Sequence, residues 1–277
     1  DLAGFSIANA LTVRGTGIVS SGVLFNSATT AAGATGAITL AADATFKNVG
    51  ALTLGTINGG AALSLQNTGA VVLGGAVGGT TALSSLTATG PVTVGASITT
   101  AGVQTYGGAV TLSGGNRVLT GSTIRTQSTL AGGGNALTIT GAADIDGDYT
   151  GLSSLSVSGA TDLGANVTTT GTQTYGGAVT LSGGNRTLTG STIATQSTLV
   201  GGSNALTIAG AADIDGAYTG LSSLSISGAA DLGGDVTTSG TQTYSGAVTL
   251  SGANRTLTTS NSAVTFSDTV NSETGQN

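Results

Sequence analysis

The sequence predicts an all-β fold: a parallel β-solenoid (β-helix) with about three coils per 69-residue repeat and no helices of note. A fixed internal period, a strand-like alternation of apolar residues and a glycine-rich composition carry this prediction. The stretch TQTYGGAVTLSGGNRTLTG at 172–190 returns with small changes at 103–121 and 241–259, and Tyr106, Tyr175 and Tyr244 mark it at equal intervals. Such self-similarity is the signature of a repeat architecture. Residues 103–171 match 172–240 without a gap at 57 of 69 positions, and the changes are mild, as in Val157 to Ile226 and Thr170 to Ser239.

The period organises the whole chain. TALSSL (81–86) precedes TGLSSL (150–155) by one period, and TVGASITT (93–100) likewise precedes DLGANVTT (162–169). Residues 1–277 are therefore read as one continuous solenoid. It comprises diverged coils in 1–102, repeat copies at 103–171 and 172–240, and a partial repeat with a terminal coil at 241–277.

Within one period, VTLSGGNRTL (179–188), LTIAGAADID (206–215), LSISGAADLG (224–233) and VTLSGANRTL (248–257) each open on an apolar–polar–apolar triplet and run into a small residue, a glycine and a turn. Their starts advance by 27, 18 and 24 along the chain. Three coils per period, of about 23 residues each, are predicted on this spacing. The alternation places Val179, Leu181, Leu206 and Ile208 inward and Thr180 and Thr207 outward. Glycine and asparagine between the triplets supply the positive φ angles of tight corners. No sustained 3.6-residue apolar stripe occurs. A lone coil cannot bury its apolar face, whereas stacked coils cover one another, so each coil serves as template for the next.

Composition fits a narrow aliphatic lumen. Of 277 residues 49 are glycine, 39% are hydrophobic, only nine are Tyr or Phe, and Cys, His, Met and Trp are absent; the net charge is −6. Disordered chains combine few aliphatic residues with high net charge, which is not the case here.

The same composition leaves little for catalysis. Without His or Cys the usual general base, thiol nucleophile and zinc ligands are missing, so the chain is read as non-enzymatic, with no catalytic residue and no cofactor. The densest carboxylates are Asp144, Asp146 and Asp148 in DIDGDY, which a strand would place on one outward face. They are a candidate calcium site or paired-acid glycosidase site, or else a solvated edge that discourages sheet pairing. The glycine falls at the fourth position rather than the sixth of a calcium loop, and the next copy has Ala217 in place of the third carboxylate. GGGN (132–135) has no following lysine and reads as a corner. NVT (166–168) and NRT (185–187, 254–256) fit the N-glycosylation pattern. Arg117, Arg186 and Arg255 recur at the period, which predicts an aligned ladder whose guanidinium groups bond corner carbonyls or a nearby aspartate. In an acidic chain they form no nucleic-acid patch, and no apolar run reaches transmembrane length.

The motifs QTYGGAVTL, NRTLTG and SAVTFSDTVNS (262–272) resemble the repeats of large bacterial secreted β-solenoid proteins related to filamentous haemagglutinin, the adhesins exported by two-partner or autotransporter routes. The resemblance is strong over 103–277 and weaker before that. It implies a right-handed β-helix, an extracellular or cell-surface location and an adhesive or structural role, with host or surface glycans as partners. The absence of cysteine and the near-absence of lysine fit an exported chain.

The reading that follows is a structural or adhesive solenoid whose main partner is itself. Neither end shows a polar cap: Phe5, Ile7 and Leu11 at one end, and Val264, Phe266 and Val270 at the other, continue the inward pattern. Head-to-tail contact between copies would close a ring or extend a filament. An ice-binding threonine face is one alternative, against which the uneven triplet spacing puts threonine pairs out of step. A polysaccharide-cleaving β-helix is the other.

Overall fold

The computed structural model describes residues 1–273; the last four residues of the partial repeat, 274–277, lie outside the described residues. It is a parallel β-solenoid of about 13 coils, about 19 residues each. Among the described residues the helical content is one 3₁₀ turn, Ile18–Ser20, so no helix is long and apolar enough to cross a membrane. By its contacts the chain divides into two units, Asp1–Gly141 and Ala142–Asn277.

In the second unit each coil has three sides. Leu155–Val157, Thr161–Leu163 and Val167–Thr169 make one coil, and their starts are evenly spaced. The next three strands then lie on them in parallel: Leu155 beside Gln173, Thr161 beside Val179, and Val167 beside Leu188. Each side of this first coil is a three-residue strand with its outer two residues in the lumen. Leu155 and Val157 are buried and Ser156 is exposed, and Leu206 and Ile208 are buried with Thr207 exposed, as the alternation predicts. One column of pairs runs Thr161, Val179, Leu199, Tyr218, Val236, Leu257, so successive coils close in steps of 18, 20, 19, 18 and 21.

The coil is thus shorter than the triplet spacing predicts, and the repeat holds more than three. Triplets such as QTY, TDL, VTT and ADI are wall strands too, although the sequence motifs leave them as connections. So short a side suffices because a three-residue strand plus a three-residue corner spans one edge of the triangle. Tyr175 stands in the column Val157, Tyr175, Thr195, Ile214, Leu232. One period on, Tyr244 stands in another column: Val167, Leu188, Ile208, Ile226, Tyr244. Leu232 completes three coils after Tyr175, and two more sides of the triangle remain before Tyr244 is reached. One repeat therefore spans three coils and two further sides, and successive copies are turned against each other by one side.

The lumen is aliphatic, as predicted, but it also takes all five tyrosines: Tyr106, Tyr149, Tyr175, Tyr218 and Tyr244 are completely buried. Their hydroxyls find internal acceptors, which burial requires. Tyr175 donates to Gln173 Oε1 at 2.8 Å, Tyr106 to Gln104 Oε1 at 2.8 Å and Tyr244 to Gln242 Oε1 at 3.0 Å. The Tyr218 hydroxyl lies 2.9 Å from Thr195 Oγ1. Burial pushes the Tyr175, Tyr218 and Tyr244 hydroxyls well up, so these phenols stay neutral.

The glutamines have a second task. In the strand Arg186–Thr195 the register shifts between Thr189 and Thr192, since this coil carries extra residues. The bulge turns the Thr189 carbonyl toward the lumen, where Gln173 Nε2 donates to it at 2.8 Å. Gln104 does the same for Thr120 O and Gln242 for Thr258 O. At the following corner Gly210 has φ +153°, and a Cβ there would stand 1.9 Å from Gly190 O, so no larger residue fits.

The first unit follows the same plan with more drift. One column runs Ala32, Leu52, Val71, Val92, Val110, Leu130. One of its corners is held by a buried ladder, Asn26 beside Asn48 beside Asn67. Each side-chain amide donates to corner carbonyls, for example Asn48 Nδ2 to Gly50 O at 2.7 Å and Asn67 Nδ2 to Pro91 O at 2.8 Å.

Ile208 is fully buried among aliphatic neighbours, so Ile208→Asp strands a carboxylate without a partner and costs several kcal/mol. Thr207→Asp, one residue away on the outer surface, changes stability by less than about 1 kcal/mol. Thermal melts followed by circular dichroism separate the two; equal melting temperatures would contradict the inward assignment.

Candidate functional site

The acidic candidates resolve into a different arrangement from the one expected. Asp144 lies in the strand Leu137–Ile145, which ends one residue later, so Asp146 and Asp148 occupy the corner and the three carboxylates do not share a strand face. Asp148 Oδ1 accepts the Asn166 N–H at 2.9 Å, a corner contact. What the coil brings beside Asp144 is Asp162, directly across the parallel ladder. The next copy repeats the pair as Asp213 beside Asp231.

Asp162 and Asp231 thus join the site although neither stands out in the sequence. The signal is present there: each follows its partner by one short coil, the same step that separates Leu206 from Leu224. Neighbouring like charges on adjacent strands are destabilising. Asp162 Oδ1 and Asp231 Oδ1 are moreover buried and have no hydrogen-bond partner among the described residues. Desolvation first, then the Asp215 and Asp231 charges, push the Asp213 carboxyl above its ordinary value. The neighbours along the ladder are uncharged: Ala194 flanks Asp213, and Thr249 flanks Asp231. Among the described residues no group of three or more His, Cys, Asp or Glu is arranged to hold a metal ion.

The arginines take the structural role expected of them. Arg186 Nε donates to Leu163 O at 2.9 Å and to Ser182 O at 3.1 Å, Nη1 to Asn185 O at 3.0 Å, and Nη2 also to Ser182 O. Arg117 holds Val94 O and Ser113 O, and Arg255 holds Leu232 O and Ser251 O, in the same way. They do not form the ladder expected from the period: Arg186 precedes Leu188, in the column of Val167, whereas Arg255 precedes Leu257, in the column of Val236. The turn between copies separates them. GGGN is a corner, with Gly133 and Gly134 at φ +59° and +80° and Asn135 Nδ2 donating to Gly132 O at 2.8 Å. Two asparagines of the glycosylation patterns also hold corners: Asn166 Oδ1 accepts Thr187 N–H and Asn185 Oδ1 accepts Ala205 N–H.

Among the described residues, Ile7, Leu11, Val264, Phe266 and Val270, all expected at an assembly surface, lie on strands that pair on one side. Ile7 pairs with Ala34 and Leu11 with Ile38. Phe5 stands one place before Ser6–Ile7 and is 75% exposed, while Leu2, which the alternation does not single out, is buried. At the other end Val264 pairs with Gln242, Phe266 with Tyr244, and Val270 with Val248. The Phe266 ring stacks on Tyr244, centroids 5.2 Å apart with 15° between planes, and Phe266 and Val270 remain 38% and 45% exposed.

The raised Asp213 carboxyl links stability to pH. The folded state binds this proton more tightly than the unfolded state, so the contribution is complete below the ordinary carboxylate value and is lost as pH rises through the raised folded value. Replacing Asp231 by Asn removes one of the interacting charges. The variant is expected to melt higher than the parent at pH 7, with the gap closing toward pH 3. A gap that widens toward acid would contradict the pairing.

No family model, curated protein or solved structure matches the chain.

Proposed function

We propose that the chain is a non-enzymatic structural solenoid of the cell exterior, adhesive in role, which associates end to end with copies of itself. The observation that carries this reading is the last described coil. Among the described residues, Val264–Phe266 pairs in parallel with Gln242–Tyr244, and Val270–Ser272 with Val248–Leu250. Phe266 and Val270 on these strands remain exposed. A further coil laid on these strands would continue both ladders and cover both side chains, just as Phe266 covers Tyr244. Among the described residues the strand Leu11–Gly15 pairs with Ile38–Asn48, and the opposite edge of this strand would receive such a coil. A contact between opposite ends is heterologous, and it closes a ring or extends a filament. The outer surface, rich in Thr, Ser, Gly and Asn and poor in lysine, suits exposure outside the cell.

Sedimentation at micromolar concentration tests the association: species larger than the 26.1 kDa monomer are expected. Phe266→Asp should return the chain to monomer with the interior coils still folded by circular dichroism. A monomeric parent, or an assembly unaffected by that change, would count against the reading.

One observation favours a second reading, the ice-binding face. The parallel register sets Thr187, Thr207, Ser225, Thr243 and Thr265 side by side on successive coils. The hydroxyls are therefore in step, contrary to the expectation from triplet spacing, because the intervening coils differ in length yet each brings a Ser or Thr to the same place. An ice-growth assay discriminates. Faceted crystals or thermal hysteresis, lost on changing Thr207 and Thr243 to Leu, would replace the adhesive reading; ice growing as in buffer removes this alternative.

A further inference from the structure

The first unit holds an open groove of about 870 Å³ whose walls come from three successive coils. It arises from a break in register. Val13 pairs with Leu40 and Gly15 pairs with Ala44, so Arg14 alone faces Ala41, Ala42 and Asp43, and the longer strand is forced outward. The third wall is Gly60 and Ala61 of the next coil. Gly59, just before them, has φ +135° and lies so close to the preceding coil that a Cβ would stand 2.4 Å from Leu40 O. The volume is within the range of small-molecule and saccharide sites, roughly 300–1,000 Å³.

Two charged groups line this groove without meeting. Arg14 makes no hydrogen bond or ion pair among the described residues, in contrast to Arg117, Arg186 and Arg255, whose guanidinium groups are occupied by corner carbonyls. Asp43 uses Oδ1 to accept the Ala62 N–H at 2.8 Å, which fixes the carboxylate and leaves Oδ2 for another donor. Between them the exposed Ala41 and Ala42 supply an apolar wall.

From this combination we infer that the groove between Arg14 and Asp43 binds a carboxylated sugar, a hexuronate unit within a polysaccharide. The free guanidinium fork matches a carboxylate with two parallel hydrogen bonds. Asp43 Oδ2 accepts hydrogen bonds from the ring hydroxyls, which offset its repulsion of the sugar carboxylate; a bare sulfate meets the same repulsion and brings no such donor. The exposed Ala41 and Ala42 side chains meet the C–H face of the ring. An open groove lets the polymer pass on both sides, where a closed pocket would hold only a monosaccharide. The inference deepens the adhesive part of the proposed function by naming a ligand class, and it is independent of end-to-end association.

Isothermal titration of the full chain with tetragalacturonate tests it, with the methyl-esterified tetrasaccharide and inorganic sulfate as comparison ligands. Saturable binding of the acid form is expected, weaker by about tenfold or more for the ester and for Arg14→Ala. Arg14→Lys should keep part of the affinity, since it retains charge without the fork. Sulfate should fail to compete in the parent and should compete in Asp43→Asn. Because Arg14 has no partner among the described residues, Arg14→Ala should melt and sediment as the parent does, which separates a failure of this inference from a failure of assembly. No binding, equal binding of the ester, an unchanged Arg14→Ala, or displacement by sulfate in the parent would each overturn it.

Discussion

The structure depends on one constraint, that each coil must set its lumen-facing residues over those of the coil before while its backbone completes the parallel ladder. A one-residue slip would send every inward side chain to the surface. The shortest coils meet the constraint with three equal sides, as from Leu155 to Gln173. A longer coil has to place its surplus residues outside the ladder, and this chain places them in bulges such as the one between Thr189 and Thr192. Each bulge turns polar backbone inward. Gln104, Gln173 and Gln242 accordingly stand in the lumen beside the carbonyls of Thr120, Thr189 and Thr258, and tyrosines close the remaining acceptors on those glutamines.

The mismatch between the long repeat and a three-sided coil of about 19 residues governs where surface features accumulate. Contacts made inside one copy are reproduced in the next, which is why the pair Asp144–Asp162 returns as Asp213–Asp231. Residues equivalent between copies, such as Arg186 and Arg255 or Tyr175 and Tyr244, land on different sides. A ladder along one side must therefore be assembled from unlike positions of the repeat. Thr187, Thr207, Ser225, Thr243 and Thr265 form such a ladder because hydroxyl residues occupy the outward position of most strands.

The diverged coils at the start of the chain are less bound by this symmetry. There a register break can open a groove, and a charged residue such as Arg14 can stand without an equivalent in later copies.

Much of this was legible in the sequence. The fixed period, the alternation in VTL, LTI and LSI and the glycine-marked corners determined a parallel solenoid with an aliphatic lumen, since period-two burial and positive-φ corners are local properties that each residue carries with it. The corner role of the arginines was legible for the same reason: Arg186 reaches Ser182 and Asn185 within its own turn. Only the tertiary structure decided how many sides a coil has, and hence that copies are turned against one another, that Asp162 stands beside Asp144 and that five hydroxyls align. It also decided that Phe5 lies exposed while the tyrosines fill the lumen. Register across coils is set by where every bulge and corner closes, and a single inserted residue shifts all columns beyond it. Such a sum over the chain has no local signature, so it emerges only when the coils are stacked.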